Sequence, residues 1–387
     1  MSELRNLFHE RYMKCKEKCT DDILSLRESS MMKSISDIYI RVDANKQIAT
    51  GHVMRTLAIA KQVRKLGGRC KFIVADKYAI SSIIDNDFEV ICLNSKWNDL
   101  NQEIVQMQKL ITEEQIKVLL VDSYFVTEEY LNSLSNKTYV AYIDDLNLFK
   151  YPVNTIINYA TYYEAFDYKS LNYDVDTRFL LGTQYVPLRE EFSQLLRKKK
   201  EVLKNILITT GGTDQYHVTY LLLKQLIESK MIDNLTLHIV MGRFNEDLEM
   251  INKLAAHREN IFLYKNIDYM SKLMMQCDLA ISAGGTTLFE LCACGLPTIS
   301  FGIADNQLQG INSLAEKGYM LTVGDIRNNI DIGILEIVNK LKYYLNNPQI
   351  GHQYSVKMQQ LIDGRGAERI AKYLLQDEKK EIRLDMP

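Results

Sequence analysis

The sequence lacks an excess of either charge, since its 387 residues carry 47 basic and 49 acidic side chains. Proteins that bind nucleic acid or an acidic membrane usually present a strongly basic surface, so we expect neither partner. No run of about 18 apolar residues occurs, and the first thirty residues are charged throughout instead of apolar. The composition therefore favours a cytoplasmic protein whose partner is a small molecule.

Cysteine pairs with the spacing of a metal site or a redox motif are also missing. The seven cysteines form no Cys-x-x-Cys pair, and Cys15 and Cys19 lie one helical turn apart with no further ligand nearby. An odd number of thiols, several of them in apolar runs, is typical of a reducing compartment. We expect neither a metal nor a cofactor.

Short apolar runs alternate with helical stretches from about residue 36 onward, and this alternation predicts parallel sheets covered on both faces. The expected fold class is α/β, with two Rossmann-like domains. The predicted strands are 38–42, 70–75, 90–93, 118–122, 140–144 and 155–158 in the first half, and 205–210, 235–241, 261–264, 278–283, 298–301 and 320–323 in the second.

Changes in composition divide the chain further. Residues 1–35 are polar and charged, which predicts an extension that is helical or partly disordered. A charged run over 189–204 separates a first domain, 36–188, from a second, 205–348, and is interpreted as a linker. The helical periodicity after residue 349 predicts a C-terminal helix that crosses back over the first domain, followed by a tail to residue 387.

The clearest chemical signal is the glycine pair Gly284 and Gly285, which follows a predicted strand and leads through Thr286 into a helix. Glycines let a ligand approach the backbone closely, and the amides at a helix start favour an anion such as diphosphate. No Walker lysine is present, so ATP cleavage is not expected. Glu290, one turn later, could accept both hydroxyls of a ribose, or it could cap its own helix.

A second glycine loop follows the first strand of the second half. Gly211, Gly212 and Thr213 offer amides and a hydroxyl from the opposite side of a cleft. The alternative is an ordinary turn between a strand and a helix, with Asp214 as the helix N-cap.

His52 stands at the start of a helix, directly after Gly51 and a strand-like run. The positive end of a helix disfavours an imidazolium, so a neutral, basic ring is expected there. Such a ring at the edge of a cleft suits proton abstraction from water. The alternative is a histidine that only hydrogen-bonds backbone.

These residues belong to an ordered set of motifs that resembles the UDP-2,4-diacetamido-2,4,6-trideoxy-β-L-altropyranose hydrolases of pseudaminic acid biosynthesis, over roughly residues 36–375. Each motif alone is weak, but the order and spacing are specific. The motifs are Arg41-x-Asp43-Ala44, Gly51-His52-Val53-Met54-Arg55, Asp144-Asp145, Gly211-Gly212-Thr213-Asp214, Ala283-Gly284-Gly285-Thr286-Thr287-x-x-Glu290 and Asp305-Asn306-Gln307.

The resemblance implies a GT-B fold, with two Rossmann-like domains facing a central cleft and UDP held mainly by the second. Such a fold is related to the UDP-GlcNAc transferase that makes the lipid-linked peptidoglycan precursor. The resemblance also implies roles: His52 is catalytic, Glu290 binds ribose, and Asn306 and Tyr124 lie near the sugar. The expected substrate-binding residues are Asp43, Gly51, Arg55, Tyr124, Asp145 and Asn306, and the expected UDP-binding residues are Gly211, Gly212, Thr213, Gly284, Gly285, Thr286 and Glu290.

Tyr124 and Asp145 each follow a predicted strand at the cleft edge, where a hydroxyl and a carboxylate can meet the acetamido groups of a sugar. The alternatives are half-buried packing for Tyr124 and the start of a turn for Asp144 and Asp145. An aspartate pair could also hold a metal, but no further carboxylate or histidine cluster supports one.

The predicted reaction is hydrolysis of the UDP-linked altrose derivative by water attack at the anomeric carbon, with inversion. This would be a step in bacterial pseudaminic acid biosynthesis, which serves flagellin glycosylation, and we expect a monomer. Two alternatives stay open. One is a GT-B glycosyltransferase that uses a soluble or lipid acceptor, although residues 61–69 show no clear apolar and basic patch for a lipid. The other is a nucleotide-sugar-binding module without turnover.

Overall fold

The computed structural model describes residues 37–376, apart from positions 46, 49, 169, 172, 174, 175, 213, 243, 244, 266 and 268. The predicted extension over 1–35, with Cys15 and Cys19, and the tail after 376 therefore lie outside the described residues. Thr213 also lies outside them.

The first half is built on a seven-stranded parallel sheet. Its central strands are apolar on both faces and buried along their length, because helices cover both sides. The strands are β1 (Asp37–Val42), β2 (Arg69–Val74), β3 (Glu89–Cys92), β4 (Val118–Asp122), β5 (Tyr139–Ile143), β6 (Thr155–Asn158) and β7 (Arg178–Leu181). The helices are α1 (Gly51–Lys65), α2 (Ile80–Ile84), α3 (Ile104–Glu113) and α4 (Glu128–Ser135).

The second half repeats the scheme with six parallel strands. These strands are β8 (Asn205–Thr209), β9 (Thr236–Val240), β10 (Ile261–Tyr264), β11 (Leu279–Ala283), β12 (Thr298–Gly302) and β13 (Leu321–Asp325). The helices are α5 (Val218–Glu228), α6 (Leu248–Ala255), α7 (Met270–Gln276), α8 (Thr287–Ala293), α9 (Asp305–Glu316), α10 (Ile330–Asn346), α11 (Pro348–Leu361) and α12 (Gly366–Leu375). Short 3-10 helices span Leu100–Glu103, Tyr163–Phe166, Thr183–Tyr185, Glu190–Phe192 and Met231–Asn234.

The strand order of each sheet places its ligand site. The orders are β3-β2-β1-β4-β5-β6-β7 and β10-β9-β8-β11-β12-β13, so the direction of winding reverses between β1 and β4 and between β8 and β11. Ligands of open parallel sheets bind beyond the carboxyl ends of the strands at such a reversal. His52 follows β1, and the two glycine loops follow β8 and β11.

The C-terminal segment differs from the predicted single helix. It consists of α11, which packs on α8 of the second half, and α12, which packs on α1 of the first half. The break at 362–365 lets the chain change direction as it passes from one half to the other. The Tyr373 hydroxyl of α12 lies 3.2 Å from the Tyr139 hydroxyl and 3.2 Å from Thr155 Oγ1, which fastens α12 to the first sheet.

No helix in the described part of the chain is long and apolar enough to cross a membrane. The strand β7 was not predicted, and it forms the edge of the first sheet beside β6. Its four residues begin with an exposed arginine and are only partly buried, so the strand lacks the continuous apolar pattern of its neighbours.

Candidate functional site

His52 is paired with a carboxylate that the sequence did not single out. It is the second residue of α1, it is buried, and its Nδ1 lies 2.6 Å from Oδ1 of Asp122, the last residue of β4. The register of β1 on β4 sets Val42 beside Asp122, which brings the start of α1 to this carboxylate. Arg55 Nη2 also lies 3.0 Å from Nδ1, but the ionised carboxylate is the nearer partner and only accepts, so in the neutral ring Nδ1–H donates to it and the lone pair is left on Nε2.

Arg55 lies one helical turn after His52 and fixes both oxygens of Asp122. Its Nε donates to Asp122 Oδ2 at 2.6 Å, its Nη2 donates to Oδ1, and Nη2 also lies 2.8 Å from Asp145 Oδ2. Its Nη1 donates to the Tyr159 hydroxyl. Burial opposes the charge of Asp122, but Arg55 and His52 outweigh it and hold the pKa of this carboxyl well below its usual range. Asp122 is therefore ionised at neutral pH and can accept the Nδ1–H of His52.

Tyr124 approaches the same imidazole from the side. Its ring meets the His52 ring edge-on, with centroids 4.5 Å apart and planes at 78°. Burial, together with the neighbouring Asp145 carboxylate, raises the pKa of Tyr124, so its hydroxyl stays protonated and can donate. The structure thus brings His52, Arg55, Tyr124 and Asp145 together, as the sequence predicted, although their roles stay predictions.

Asp144 and Asp145 have different surroundings. Asp144 is fully buried, and its Oδ1 accepts the amides of Leu146 and Asn147, each at 2.9 Å, and the Tyr151 hydroxyl at 2.9 Å. Asp144 therefore starts a turn, which is the alternative that the sequence left open for it. Asp145, by contrast, faces Arg55 and Tyr124.

Asp43 lies in a different network. Its Oδ2 accepts from Arg41 Nη1 at 2.5 Å, and its Oδ1 accepts the Ala75 amide at 2.7 Å. Arg41 in turn pairs with the buried Glu103 at 2.7 Å. These bonds tie the ends of β1 and β2 together, so the described contacts of Asp43 are structural. Gly51 is exposed beside His52, with no atom within 4 Å of the place where a Cβ would stand.

The loop 284–287, which we call the cradle loop, follows β11 and forms the candidate site of the second sheet. A Cβ at Gly284 would stand 2.5 Å from Ile311 Cγ2 of α9, so only glycine fits there, whereas nothing lies within 4 Å at Gly285. Gly285 and Thr286 are exposed. An anion can therefore approach the backbone at this point.

The amide donors of the cradle loop differ from the predicted ones. The Gly284 amide donates to the Phe301 carbonyl and the Gly285 amide to the Ala283 carbonyl, both at 2.9 Å. The first bond continues the ladder between β11 and β12, so the Gly284 amide is already engaged and is not available to an anion. Thr286, the N-cap of α8, and Thr287, its first residue, carry the amides that the helix itself does not engage.

The second glycine loop contains an open backbone and a capped helix. Gly211, with φ of +89°, and Gly212 have no atom within 4 Å of a would-be Cβ, and both are exposed. Asp214 accepts the amides of Val218 and Thr219 at 2.9 Å each. The N-cap residue of α5 is His217 and not Asp214, although the Asp214 carboxylate accepts the first two amides of the helix from four residues before its start.

Glu290 points at the linker and does not cap its own helix. Its Oε1 lies 3.1 Å from Arg189 Nη2, and its side chain is 19% exposed. Burial raises the pKa of Glu290, and the Arg189 guanidinium works against that shift. Asn306 is exposed in the first turn of α9, next to Gln307, whose Cβ would lie 3.0 Å from a Cβ at Gly284. Asn306 and Glu290 therefore flank the cradle loop.

Side-chain contacts between the two halves bring the His52 network and the cradle loop near each other. The ring of Tyr159, which holds Arg55, meets the ring of Phe289 edge-on at 5.9 Å. Phe289 precedes Glu290 on α8. Lys317, which directly follows α9, also crosses between the halves, because its Nζ donates to the Thr161 carbonyl at 2.6 Å. The His52 network and the cradle loop consequently border one cleft.

Among the described residues, no group of three or more His, Cys, Asp or Glu side chains is placed to hold a metal. Sequence reasoning missed Asp122, Tyr159 and Arg189 as parts of this site. A signal existed for Asp122, because a carboxylate ended a buried strand at the sheet edge where His52 was expected. The buried Tyr159 carried a similar signal, because it directly follows the predicted strand 155–158, whereas nothing in the sequence distinguished Arg189.

The two parallel sheets, each with a site at its point of reversal, define a two-domain α/β protein with the GT-B fold. The chain is similar in structure to MurG of Acinetobacter baumannii, with a TM-score of 0.62 at 14% identity over 88% of this chain and 99% of that one. A model of the family described as Protein of unknown function (DUF354) matches residues 183–357.

Two curated relatives are similar in sequence. An uncharacterised protein of Methanocaldococcus jannaschii is 28% identical over 84% of this chain and 70% of its own length. The UDP-2,4-diacetamido-2,4,6-trideoxy-β-L-altropyranose hydrolase of Campylobacter jejuni is 26% identical over 73% of this chain and 97% of its own length. The resemblance drawn from the motifs is thereby confirmed.

Proposed function

We propose that the chain hydrolyses UDP-2,4-diacetamido-2,4,6-trideoxy-β-L-altropyranose to UDP and the free sugar, as the name of the Campylobacter relative suggests. The observation that carries the proposal is the His52–Asp122 pair, which leaves Nε2 as an acceptor at the edge of a cleft whose other side is the cradle loop. This arrangement supplies a base for water on one side and an anion-binding backbone on the other.

His52 Nε2 takes a proton from water, and Asp122 stabilises the imidazolium that forms. The water oxygen bonds to the anomeric carbon from the face opposite UDP, while the bond between that carbon and the UDP oxygen breaks with its electron pair on UDP. The configuration at the anomeric carbon is therefore inverted. The proton on His52 passes to solvent before the next turnover.

The departing UDP needs its charge stabilised. The amides of Thr286 and Thr287 at the start of α8, with the open backbone at Gly285, meet the diphosphate, and Gly211 and Gly212 approach it from the loop after β8. Thr213 is assigned to the same role from its place in the sequence alone. One well-aimed amide donor contributes roughly 3–4 kcal/mol in such sites. Glu290 accepts the ribose hydroxyls. No metal is needed for these contacts, because helix-start amides carry the positive charge.

The sugar lies between the two sites. The protonated Tyr124 hydroxyl and the Asp145 carboxylate meet its acetamido groups, and Asn306 approaches from α9. Arg55 holds Asp145 in place, since its Nη2 lies 2.8 Å from that carboxylate. Gly51 keeps the backbone open next to His52. We further propose that the protein acts as a monomer in the cytoplasm, in pseudaminic acid biosynthesis for flagellin glycosylation.

The experiment incubates the protein with the UDP-linked altrose derivative and, separately, with UDP-N-acetylglucosamine, both in EDTA, and follows UDP release and anomeric configuration by NMR. The matched control is His52→Ala. We expect release only from the first substrate, with inversion, and only from the unmodified protein. Equal release from both substrates contradicts the proposal. Transfer of the sugar to an added acceptor would indicate a transferase, and binding without release would indicate a nucleotide-sugar-binding module.

A further inference from the structure

Arg189 is the cation that Glu290 meets, and it is held from several directions. Its Nη2 lies 3.1 Å from Glu290 Oε1, its Nη1 lies 2.7 Å from Glu191 Oε1, and its guanidinium stands over the Phe192 ring at 5.2 Å. Arg189 itself belongs to the linker, whereas Glu290 belongs to α8. The ion pair therefore fixes the orientation of the Glu290 carboxylate on α8 from a residue outside the second domain.

The ion pair is only partly covered by protein. The Arg189 side chain is 31% exposed and the Glu290 side chain is 19% exposed. Arg189 also lines a cavity of about 660 Å³ between α1 and the second half, together with Met54, Lys61 and Tyr269. Both side chains therefore keep some solvent-accessible surface.

The ionisation of Glu290 depends on the charges around it. Burial raises the pKa of Glu290, Arg189 opposes this, and the Glu191 carboxylate adds to it. Cys294, the other titratable group near it on the same helix segment, has a pKa raised to about 12 by burial and stays neutral. Arg189 is thus the group that favours the charged carboxylate against burial and Glu191, and its removal should raise the pKa of Glu290 further.

The ion pair leaves part of the carboxylate available. Arg189 engages Oε1, and Oε2 has no hydrogen-bond partner among the described residues. An ionised carboxylate accepts at both oxygens and accepts more strongly, whereas a protonated one uses one oxygen to donate. The ionised state of Glu290, which Arg189 favours, therefore suits a neighbouring diol better.

We propose that Arg189 is a positioning residue for nucleotide binding, which orients the Glu290 carboxylate through their ion pair so that it accepts the ribose hydroxyls. This inference rests on the function proposed above. Arg189 does not contact the reacting atoms in this account. It acts through Glu290, so its removal affects the recognition of ribose and not of the diphosphate.

The test measures the affinity of UDP and of 2′,3′-dideoxy-UDP by calorimetry between pH 5.5 and 8, for the unmodified protein, Arg189→Met and Arg189→Lys. The ratio of the two affinities isolates the ribose hydroxyls, because both ligands carry the same diphosphate. The matched control is Glu190→Gln. It removes the exposed ion pair between Glu190 and Lys65, directly next to Arg189 in the chain, and leaves the Arg189–Glu290 pair in place. Circular dichroism melts verify that each variant is folded.

We expect a preference for UDP in the unmodified protein that changes little with pH. In Arg189→Met the preference falls about tenfold or more at low pH, because Glu290 becomes protonated, and recovers as pH rises. Arg189→Lys restores most of it, and Glu190→Gln leaves it unchanged.

Three results would overturn the inference. If Arg189→Met keeps the full preference at every pH, the inference alone is wrong. If Arg189→Met weakens both ligands equally, Arg189 binds the diphosphate instead. If the unmodified protein shows no preference for UDP, the ribose role of Glu290 is wrong and the inference with it, while UDP-sugar hydrolysis can still be measured separately.

Discussion

Asp122→Asn should lower the turnover of the UDP-sugar by about 10²–10⁴-fold, the usual contribution of a general base. This corresponds to roughly 2.7–5.4 kcal/mol of activation free energy, since each tenfold is about 1.36 kcal/mol. The amide of asparagine can donate to His52 Nδ1, which lies 2.6 Å from the present carboxylate oxygen. The ring then carries its proton on Nε2 and no longer offers a base to water.

The same substitution should also lower the free energy of unfolding. Asp122 is buried against Arg55, whose guanidinium keeps Asp145 Oδ2 at 2.8 Å and the Tyr159 hydroxyl as partners. Breaking a buried ion pair outright costs about 3–5 kcal/mol, but these remaining partners should limit the loss to about 1–3 kcal/mol. A thermal melt measures this loss separately from turnover.

The assay compares UDP release by Asp122→Asn, His52→Ala and the double variant, with UDP affinity measured by calorimetry. If Asp122 acts through His52, the double variant is no slower than His52→Ala alone, because residues that act as a unit are not additive. UDP affinity should stay near that of the unmodified protein in all three. Full turnover in Asp122→Asn, or losses that multiply in the double variant, would refute the reasoning.

Four further outcomes are expected. His52→Ala should reduce turnover by at least about 10²-fold with UDP affinity unchanged; an active variant would exclude His52 as the base. Glu290→Ala should weaken UDP binding about tenfold or more, measured by calorimetry, and unchanged affinity would exclude the ribose role. Gly285→Ala should weaken UDP binding without loss of stability, whereas Gly284→Ala, whose Cβ would meet Ile311 at 2.5 Å, should lower the melting temperature by the equivalent of about 1–3 kcal/mol. Because the folded-state pKa of Asp122 is depressed, its stabilisation is present above about pH 4 and lost as pH falls further, so acid should destabilise the unmodified protein more steeply than Asp122→Asn.

The sheets could be predicted because buried parallel strands are short continuous apolar runs. The strands Val118–Asp122, Thr155–Asn158 and Ile261–Tyr264 have the predicted bounds, and the others differ by a residue or two. The edge strand Arg178–Leu181 was not predicted, because a partly buried strand does not need a continuous apolar run.

The linker shows what composition leaves open. Its charged run predicts a connection between the domains, and within it Arg197 donates to the carbonyls of Met274, Cys277 and Cys294 at 2.6 to 2.8 Å. These carbonyls lie at the ends of α7 and α8, where a cation complements the helix dipole. A sequence pattern records that a charge is present, but only the packing shows which backbone it meets.

The site divides in the same way. The positions of His52, Tyr124, Asp145 and the glycine loops could be predicted, because the carboxyl ends of parallel strands meet at one edge. Which partner each residue takes could not be, since Asp122 is 70 positions from His52 in the chain, and the register of β1 on β4 brings them together. The free amides of the cradle loop likewise depend on which ones the β11–β12 ladder has already used.

Turnover in water enriched in ¹⁸O tests the central claim most directly. The account predicts that mass spectrometry finds the label in the released sugar and none in UDP, and that NMR finds the inverted anomer first. Label in the β-phosphate of UDP would show that water attacks phosphorus instead of the anomeric carbon. That result, or a sugar released with retained configuration, would contradict the role assigned to His52.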